Sequence, residues 1–384
     1  MVADRQPNCI RQAVTFATDA ETAIREVRDQ LVQPDMTLAI LFIDPRLGTE
    51  AVQSAVQQHW PEVPTVGATA SGHVSSLGLG EATISAVSLA APDFFAVAGH
   101  MDCTEDFDAR SVRSEVKRLV ARLDRQAGPC DETNTFAMMF LAYKSMYEER
   151  ALNTVYGSLG GINLFGGSAS RADEQRSCWI LNGGSVRRDS IAVALIRTTR
   201  PFTLFSTHHF RGSGERLVIT GAIPSERLVT EINGEPAADE YARLVGVSTE
   251  ELRERAYIGR PVAVKIGDQY YLRSIVRVNA DGTLLFGCAL EIGTTLRVVV
   301  PESMAANLED EFERVRGLVG PPDVMITADC AHRRLGLNSD NERNAVSRLL
   351  IEQNAVGFGS YGEQFNRTHL NHTLTGVAIG ARKP

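Results

Sequence analysis

The segment GFGSYGEQFNRTHLNHTLTG, residues 357–376, concentrates the side chains of this sequence that are best suited to binding or catalysis. It sets a phenol, a carboxylate, a guanidinium, imidazoles and an amide between two apolar strands: Tyr361, Glu363, Arg367, His369, Asn371 and His372. Polar side chains beside glycines at a strand end are typical of ligand sites in α/β proteins. A polar loop that satisfies its own backbone is the alternative. His369 and His372 would face opposite sides of a strand, so a two-histidine metal clip is not expected.

Glycines with a hydroxyl residue two positions later occur at three places in the chain. The pairs are Gly67 with Thr69, Gly166 with Ser168, and Gly359 with Tyr361, and Gly167 extends the second turn. Glycine allows a positive φ or a close approach of backbone to a ligand. We therefore expect these turns to bind a ligand, provided that they lie close together.

Each glycine ends the same order of elements, which is an apolar strand, a helical pattern and a second strand. The first strands contain Leu38, Phe136 and Val324, which precede the glycines by 29, 30 and 35 residues. Strand–helix–strand units pair in parallel with a right-handed crossover. The sequence therefore predicts an α/β protein of mixed α+β character, built from repeated strand–helix–strand units in mixed sheets.

The order of predicted helices and strands changes between the second and third units. A short helical region follows residue 232, and residues 261–300 resemble an antiparallel β-meander with a hairpin at Asp281–Gly282. We expect a domain 1–222 that holds two units. A second domain, 223–384, would hold the helical start, the meander insert and a third unit over residues 323–381.

Composition excludes several classes of protein. The 384 residues carry 39 basic and 47 acidic side chains, a net charge of −8, without the basic stripe that nucleic-acid binding requires. No apolar run approaches the about 20 residues of a membrane-spanning helix, and no signal peptide is visible. Six cysteines without a CxxC pair indicate free thiols in a reducing, cytoplasmic setting. Common catalytic motifs are missing, so no enzyme activity is expected, although an unrecognised acid–base site stays open.

Five motifs in order resemble the FIST sensory proteins, which combine FIST N and FIST C domains. They are TVGATASGHV, FGGSAS, INGEPAADEYARLVG, ADCAHRR with Cys330 and Arg333, and GFGSYGE with the later His369, Asn371 and Thr373. The resemblance covers residues 14–381 and implies a bacterial small-ligand sensor in signal transduction. His73 departs from the first motif, where Glu or Gln is more usual.

The sequence SYGEQFN is most similar to the closing motif of stand-alone FIST members that bind haem and sense nitric oxide. That resemblance implies haem as cofactor, with His369 as its axial ligand. The alternative axial ligands are His209, His73 and Cys330. Arg333 and Arg367 would meet the carboxylates of the ligand, and Tyr361, Glu363 and Asn371 would complete the site.

The chain stops where a FIST C domain stops, so the signal is expected to pass to a separate protein. A histidine kinase or a cyclic-di-GMP enzyme is the partner that the resemblance implies. The alternative function is a haem-free sensor of an amino acid or another small metabolite. Arg333 would then bind the carboxylate of the metabolite, and Glu363 would bind its amine.

Overall fold

The computed structural model describes residues 9–104, 106–142, 147–171, 177–337 and 339–382. It contains three repeats of one unit, each a strand, a helix, a parallel pair of strands joined by a second helix, a hairpin and a final strand. The fold is therefore mixed α/β, as the sequence predicted.

The first repeat spans residues 10–90. Its elements are β1 Ile10–Thr15, α1 Ala20–Leu31, β2 Met36–Ile43, α2 Thr49–His59, β3 Thr65–Thr69, β4 His73–Ser75, β5 Gly78–Gly80 and β6 Ile84–Ala90. Strands β2 and β3 are parallel, whereas β6 runs antiparallel to β2 and to β1.

The second repeat spans residues 94–198 and has the same order. Its elements are β7 Phe94–Asp102, α3 Ala109–Ala127, β8 Thr135–Leu141, α4 Glu148–Tyr156, β9 Asn163–Ser168, β10 Ile180–Asn182, β11 Ser185–Arg187 and β12 Ser190–Thr198.

The third repeat begins with β13 Phe202–Thr207 and is then interrupted by an inserted region, residues 210–301. The insert contains β14 Phe210–Ile223, β15 Leu228–Ile232, β16 Glu235–Pro236, α5 Ala237–Val245, α6 Thr249–Glu251, β17 Val262–Ile266, β18 Gln269–Arg273, β19 Ile275–Val278, β20 Leu284–Phe286 and β21 Thr295–Pro301. These strands form one antiparallel sheet around a separate apolar core, which we call the inserted sheet. The predicted boundary at residue 222 falls inside β14.

The third repeat resumes after the insert. Its remaining elements are α7 Met304–Val319, β22 Pro322–Cys330, α8 Ala331–Leu335, α9 Asp340–Glu352, β23 Ala355–Ser360, β24 Glu363–Phe365, β25 Thr368–Leu370 and β26 Leu374–Gly380. β13 pairs with β26, as β1 pairs with β6 in the first repeat.

Hairpin exchange joins the three repeats into a closed arrangement. The hairpin β10–β11 of the second repeat adds to β3 of the first, β24–β25 of the third adds to β9 of the second, and β4–β5 of the first adds to β23 of the third. Each sheet is therefore completed by its neighbour around a pseudo-threefold axis. This cyclic exchange was not predicted, because strand pairing between distant repeats leaves no local pattern in the sequence.

The inner faces of the three repeat sheets share one apolar core. Phe42, Phe140 and Phe358, one from each repeat, meet there with ring centroids 4.8 to 6.1 Å apart. Helices cover the outer faces in separate clusters. Because both faces of each sheet are buried, the strands are apolar along nearly their whole length.

Candidate functional site

The three glycine turns converge at one end of the pseudo-threefold axis. The backbone N–H of Ser170 donates to the Thr69 carbonyl at 2.9 Å, and the N–H of Tyr361 donates to the Ser168 carbonyl at 3.0 Å. A longer hydrogen bond of 3.4 Å from the N–H of Ser71 to the Gly359 carbonyl closes the cycle. The turns therefore satisfy each other's backbone groups, which is a structural reason for their repeated spacing.

The third repeat is shifted by two residues from the sequence-based alignment. Gly67 pairs with Leu41 and Gly166 with Met139 across the parallel strands, and the residue in the same register of the third repeat is Gly357. Gly359 instead corresponds to Thr69 and Ser168. The error arose because GFGS contains two glycines, and spacing alone does not distinguish them.

Gly67 and Gly166 permit a close approach between backbones. A Cβ at Gly67 would lie 2.0 Å from the Leu41 carbonyl oxygen, and one at Gly166 would lie 1.9 Å from that of Met139. Gly167 leaves room for the Phe358 ring, whose Cζ would be 2.7 Å from an added Cβ. In the described structure these glycines therefore serve packing between strands.

A buried polar cluster lies where β22 and β23 end and β24 begins in the third repeat. Glu363 has no exposed surface and accepts hydrogen bonds from the Ser360 hydroxyl at 2.6 Å and the Thr373 hydroxyl at 2.8 Å. Burial raises the pKa of Glu363 to about 8, although these two hydrogen bonds act in the opposite direction. The group is therefore mostly a neutral carboxylic acid at pH 7.

In the same region, Arg333 is fully buried and its Nη1 donates to Asp329 Oδ1 at 2.7 Å. Nε and Nη2 of Arg333 have no hydrogen-bond partner among the described residues, and neither has Oδ2 of Asp329. Cys330 lies between Asp329 and α8, and burial raises the pKa of its thiol well above the ordinary value. Burial therefore favours the neutral thiol form of Cys330.

Arg333 lines a cavity of about 50 Å³ between the third repeat and the inserted sheet. The wall is formed by His209, Phe210, Gly259, Pro301, His332, Arg333, Gly336 and His372. Pro301 is exposed and His332 is half-buried, whereas Arg333 and His372 are buried. The cavity therefore runs from the surface to a buried guanidinium.

Three imidazoles face this cavity in their neutral forms. Burial lowers the pKa of His209 to about 3, with a further contribution from Arg333, and lowers that of His332 to about 4. The pKa of His372 is held well below its ordinary value by burial and by the neighbouring histidines. Both ring nitrogens of His372, and Nδ1 of His209, lack a hydrogen-bond partner in the described structure. A neutral imidazole offers one donor and one acceptor to a ligand.

His372 also has an unusual backbone conformation. Its φ is +54°, in the left-handed region that non-glycine residues rarely adopt. Its ring packs edge-on against Phe210, with centroids 5.5 Å apart, and lies 5.4 Å from the His332 ring. The surrounding packing thus holds a strained residue at the cavity wall, as is common at functional sites.

His369, the expected haem ligand, lies elsewhere, at the contact between the third-repeat hairpin and the inserted sheet. Its Nδ1 is 3.5 Å from the Gln364 amide nitrogen, and a Cβ added at Gly362 would be 2.8 Å from its Nε2. Asn371 lies in the same contact, where its Oδ1 accepts from the Ser274 N–H at 3.2 Å. Nδ1 of His369 thus faces the Gln364 side chain, and its Nε2 lies close to Gly362.

The cavity beside Arg333 is smaller than haem. The dimensions of haem require a pocket in the range of several hundred Å³, whereas the cavity beside Arg333 has about 50 Å³. Within the described ranges, no three His, Cys, Asp or Glu side chains are arranged to hold a metal ion. The residues as placed therefore give no support to haem coordination by His369.

The remaining expected site residues are dispersed. Arg367 is exposed at the hairpin tip, 5.9 Å from the centroid of the Tyr156 ring. The Tyr361 hydroxyl donates to the Arg171 carbonyl at 2.6 Å. His73 is buried against Ser85 at 3.1 Å, and burial lowers its pKa to about 3. Of the expected set, only Arg333 and His209 line the cavity.

Sequence analysis did not single out Phe210 or His332, and it named His372 in the polar segment without assigning it to the ligand site. Phe210 and His209 come from the start of β14, His332 and Arg333 from α8, and His372 from the turn before β26. More than a hundred residues separate the first pair from the others. The ADCAHRR motif pointed to α8, but no local signal connected it to the start of the insert.

Among the described residues, no helix combines the length and apolarity needed to cross a bilayer.

Comparison with known proteins identifies the family. The FIST N domain matches residues 37–235, and the FIST C domain matches residues 237–366. No curated protein sequence matches the chain. Among solved structures, cyanuric acid hydrolase from A. caulinodans is similar over 97% of this chain and 98% of its own, with a TM-score of 0.38 and 7% sequence identity. FIST domains are small-ligand sensor domains of signalling proteins, and since the two matches together cover most of the sequence, the chain belongs to the FIST family.

Proposed function

We propose that this FIST protein is a cytoplasmic, haem-free sensor that binds a small metabolite in the cavity between the third repeat and the inserted sheet. The observation that carries the proposal is the position of the cavity at both connections of the insert. His209 and Phe210 lie where the chain enters the inserted sheet, and Pro301 lies where it leaves.

A ligand at this point would act on the junction of two separately packed parts. The inserted sheet has its own apolar core, and Phe210 pairs with Pro301 at its base. A ligand that binds one arrangement of that junction more tightly shifts the population of arrangements toward it. Such a shift is a means of passing a local binding event to a distant surface.

Polar contacts also join the inserted sheet to the second repeat. Arg227, just before β15, donates to Glu148 at 2.6 Å and to Glu149 at 2.7 Å, and the Ala289 N–H donates to Glu149 at 3.1 Å. Contacts between parts of one chain that are more polar than a domain core permit relative motion of those parts. This supports an inserted sheet that changes its position in response to ligand.

The experiment screens amino acids and short carboxylic acids by thermal shift, and follows each hit by amide hydrogen exchange. A ligand in the cavity raises the melting temperature and slows exchange at residues 208–212 and 299–303. His209→Phe should abolish the response, since it keeps the ring and removes the nitrogens. His208→Phe is the matched control, because His208 bonds the Tyr270 carbonyl and does not line the cavity.

A hit that protects other segments, or that His209→Phe leaves unchanged, would refute the proposed site. The competing proposal is that the protein binds haem and senses nitric oxide, which follows from the sequence of the closing motif. A Soret band that appears on haem addition under reducing conditions, and that His369→Ala removes, would establish it in place of the haem-free function.

The receiving protein is proposed from the family resemblance alone, as a histidine kinase or a cyclic-di-GMP enzyme. Co-purification with each candidate, in the presence and absence of the ligand found above, tests that part separately.

A further inference from the structure

The two unpartnered donors of Arg333 belong to one edge of its guanidinium group. Nη1 is occupied by Asp329 at 2.7 Å, whereas Nε and Nη2 have no partner among the described residues. The N–H groups of Nε and Nη2 point in parallel along the edge that binds carboxylates through two hydrogen bonds. Asp329 thus fixes the orientation of the guanidinium and leaves its two-donor edge open.

Leaving this edge empty is unfavourable, because Arg333 has no exposed surface. A buried charged donor without a hydrogen bond costs more than a neutral one. Among the described residues that line the cavity, Arg333 is the charged one and no carboxylate is present. The cavity therefore presents a positive edge flanked by neutral imidazoles that can donate from one nitrogen each.

The size of the cavity limits the ligand. About 15 Å³ is enough to hold one water molecule, so a cavity of about 50 Å³ has room for a few non-hydrogen atoms. Formate has three such atoms, and acetate, nitrate and bicarbonate have four. An intact amino acid has five or more and exceeds the volume that the described structure offers.

We propose that the Nε–Nη2 edge of Arg333 binds a small planar oxyanion, of the size of formate or acetate, and that His209 and His372 complete its hydrogen bonds. The inference rests on the proposed function for the position of the site, and it adds the charge, shape and size of the ligand. The second oxygen of the anion takes the second N–H of the edge, which a singly bonding chloride does not.

The test uses the full chain and compares sodium acetate with acetamide and with sodium chloride at equal concentration. Acetamide has the same shape as acetate without its charge. We expect a saturable rise in melting temperature with acetate and formate, and none with acetamide, chloride or butyrate. Arg333→Lys keeps the charge beside Asp329 but removes the two-donor edge, and should weaken acetate binding by about tenfold or more.

Arg334→Lys is the matched control, because its guanidinium packs against Gly72 and Gly359 and does not line the cavity. It should leave acetate affinity unchanged. His372→Asn is the second variant if Arg333→Lys does not fold, since asparagine tolerates a left-handed backbone. It should weaken acetate binding without affecting the response to any ligand that binds elsewhere.

The outcomes separate the inference from the proposed function. Equal stabilisation by acetamide and acetate would overturn the anion and keep the cavity as a binding site. Equal stabilisation by butyrate would overturn the size limit. If no small anion stabilises the protein and water alone fills the cavity, the inference is wrong, while a larger metabolite that protects residues 208–212 would still support the proposed function.

Discussion

Replacing Glu363 with Gln should remove a pH dependence of stability that the folded structure imposes. Glu363 is fully buried, and its pKa is raised from 4.5 to about 8, chiefly by burial. Between these two values the folded protein holds a proton that the unfolded chain has already released. Stability must therefore fall as pH rises through this range, and it becomes constant above the folded pKa.

The size of the effect follows from the pKa values. One pH unit in this range is worth about 1.4 kcal/mol per group. From pH 6.5 to 8.5 the Glu363 carboxyl should therefore cost the folded state about 2 kcal/mol. Three buried histidines affect stability at lower pH: His209, His332 and His372. Their pKa values are lowered in the folded state, so the free energy of unfolding falls as pH falls below 6.5.

Urea unfolding of the wild-type protein and Glu363→Gln at half-unit steps of pH measures the difference directly. The free energy of unfolding of the wild type should fall by about 2 kcal/mol relative to the variant between pH 6.5 and 8.5. Glu352→Gln, at an exposed position in α9, is the control and should follow the wild type. Parallel pH profiles for wild type and Glu363→Gln would show that Glu363 is ionised in the fold, and would refute the reasoning from burial.

Two further predictions concern the contacts that hold the repeats and the insert together. Gly166→Ala should destabilise the protein by several kcal/mol, because the new Cβ would lie 1.9 Å from the Met139 carbonyl oxygen, whereas Gly80→Ala meets no atom within 4 Å and should cost little; urea unfolding compares them. A small effect at position 166 would mean that the two strands separate easily. Arg227→Met should cost about 3 to 5 kcal/mol, since it leaves the buried carboxylate of Glu148 unpaired. Faster amide exchange throughout the inserted sheet should accompany that loss, and unchanged exchange would show that the ion pair does not hold the insert in place.

Several features of the fold follow from local patterns in the sequence. The strand–helix–strand units were recognisable because apolar strands buried on both faces are continuous and end in glycine. Ser248 and Glu251 form a capping box, as their Ser-x-x-Glu spacing indicates, and Asp281–Gly282 connects β19 to β20 as the hairpin signal predicted. Each of these signals lies within a few residues, where backbone sterics and hydrogen bonding act directly.

Other features could not be predicted from the sequence, because they depend on residues that are distant in the chain. The opening strands β1, β7 and β13 complete the repeats, yet they carry no glycine turn that would mark them. The choice between Gly357 and Gly359 depended on register across a parallel pair, which repeat spacing determines only to within two residues. His369 and Arg333, which the resemblance assigns to one site, have different surroundings, since His369 lies against Gln364 and Gly362 whereas Arg333 lines the cavity.

The sequence by itself determined the class of the fold, the presence of repeated units, the inserted meander and the family of sensors to which the chain belongs. Only the tertiary structure decided which polar residues meet. The cyclic exchange of hairpins brings the three turns together, and the pairing of β13 with β26 leads the chain to His209, which lines the same cavity as Arg333 and His372. The spacing of apolar residues in the sequence reflects which face of a helix or strand is buried. A binding site depends on packing between distant segments, which produces no periodic pattern in the sequence.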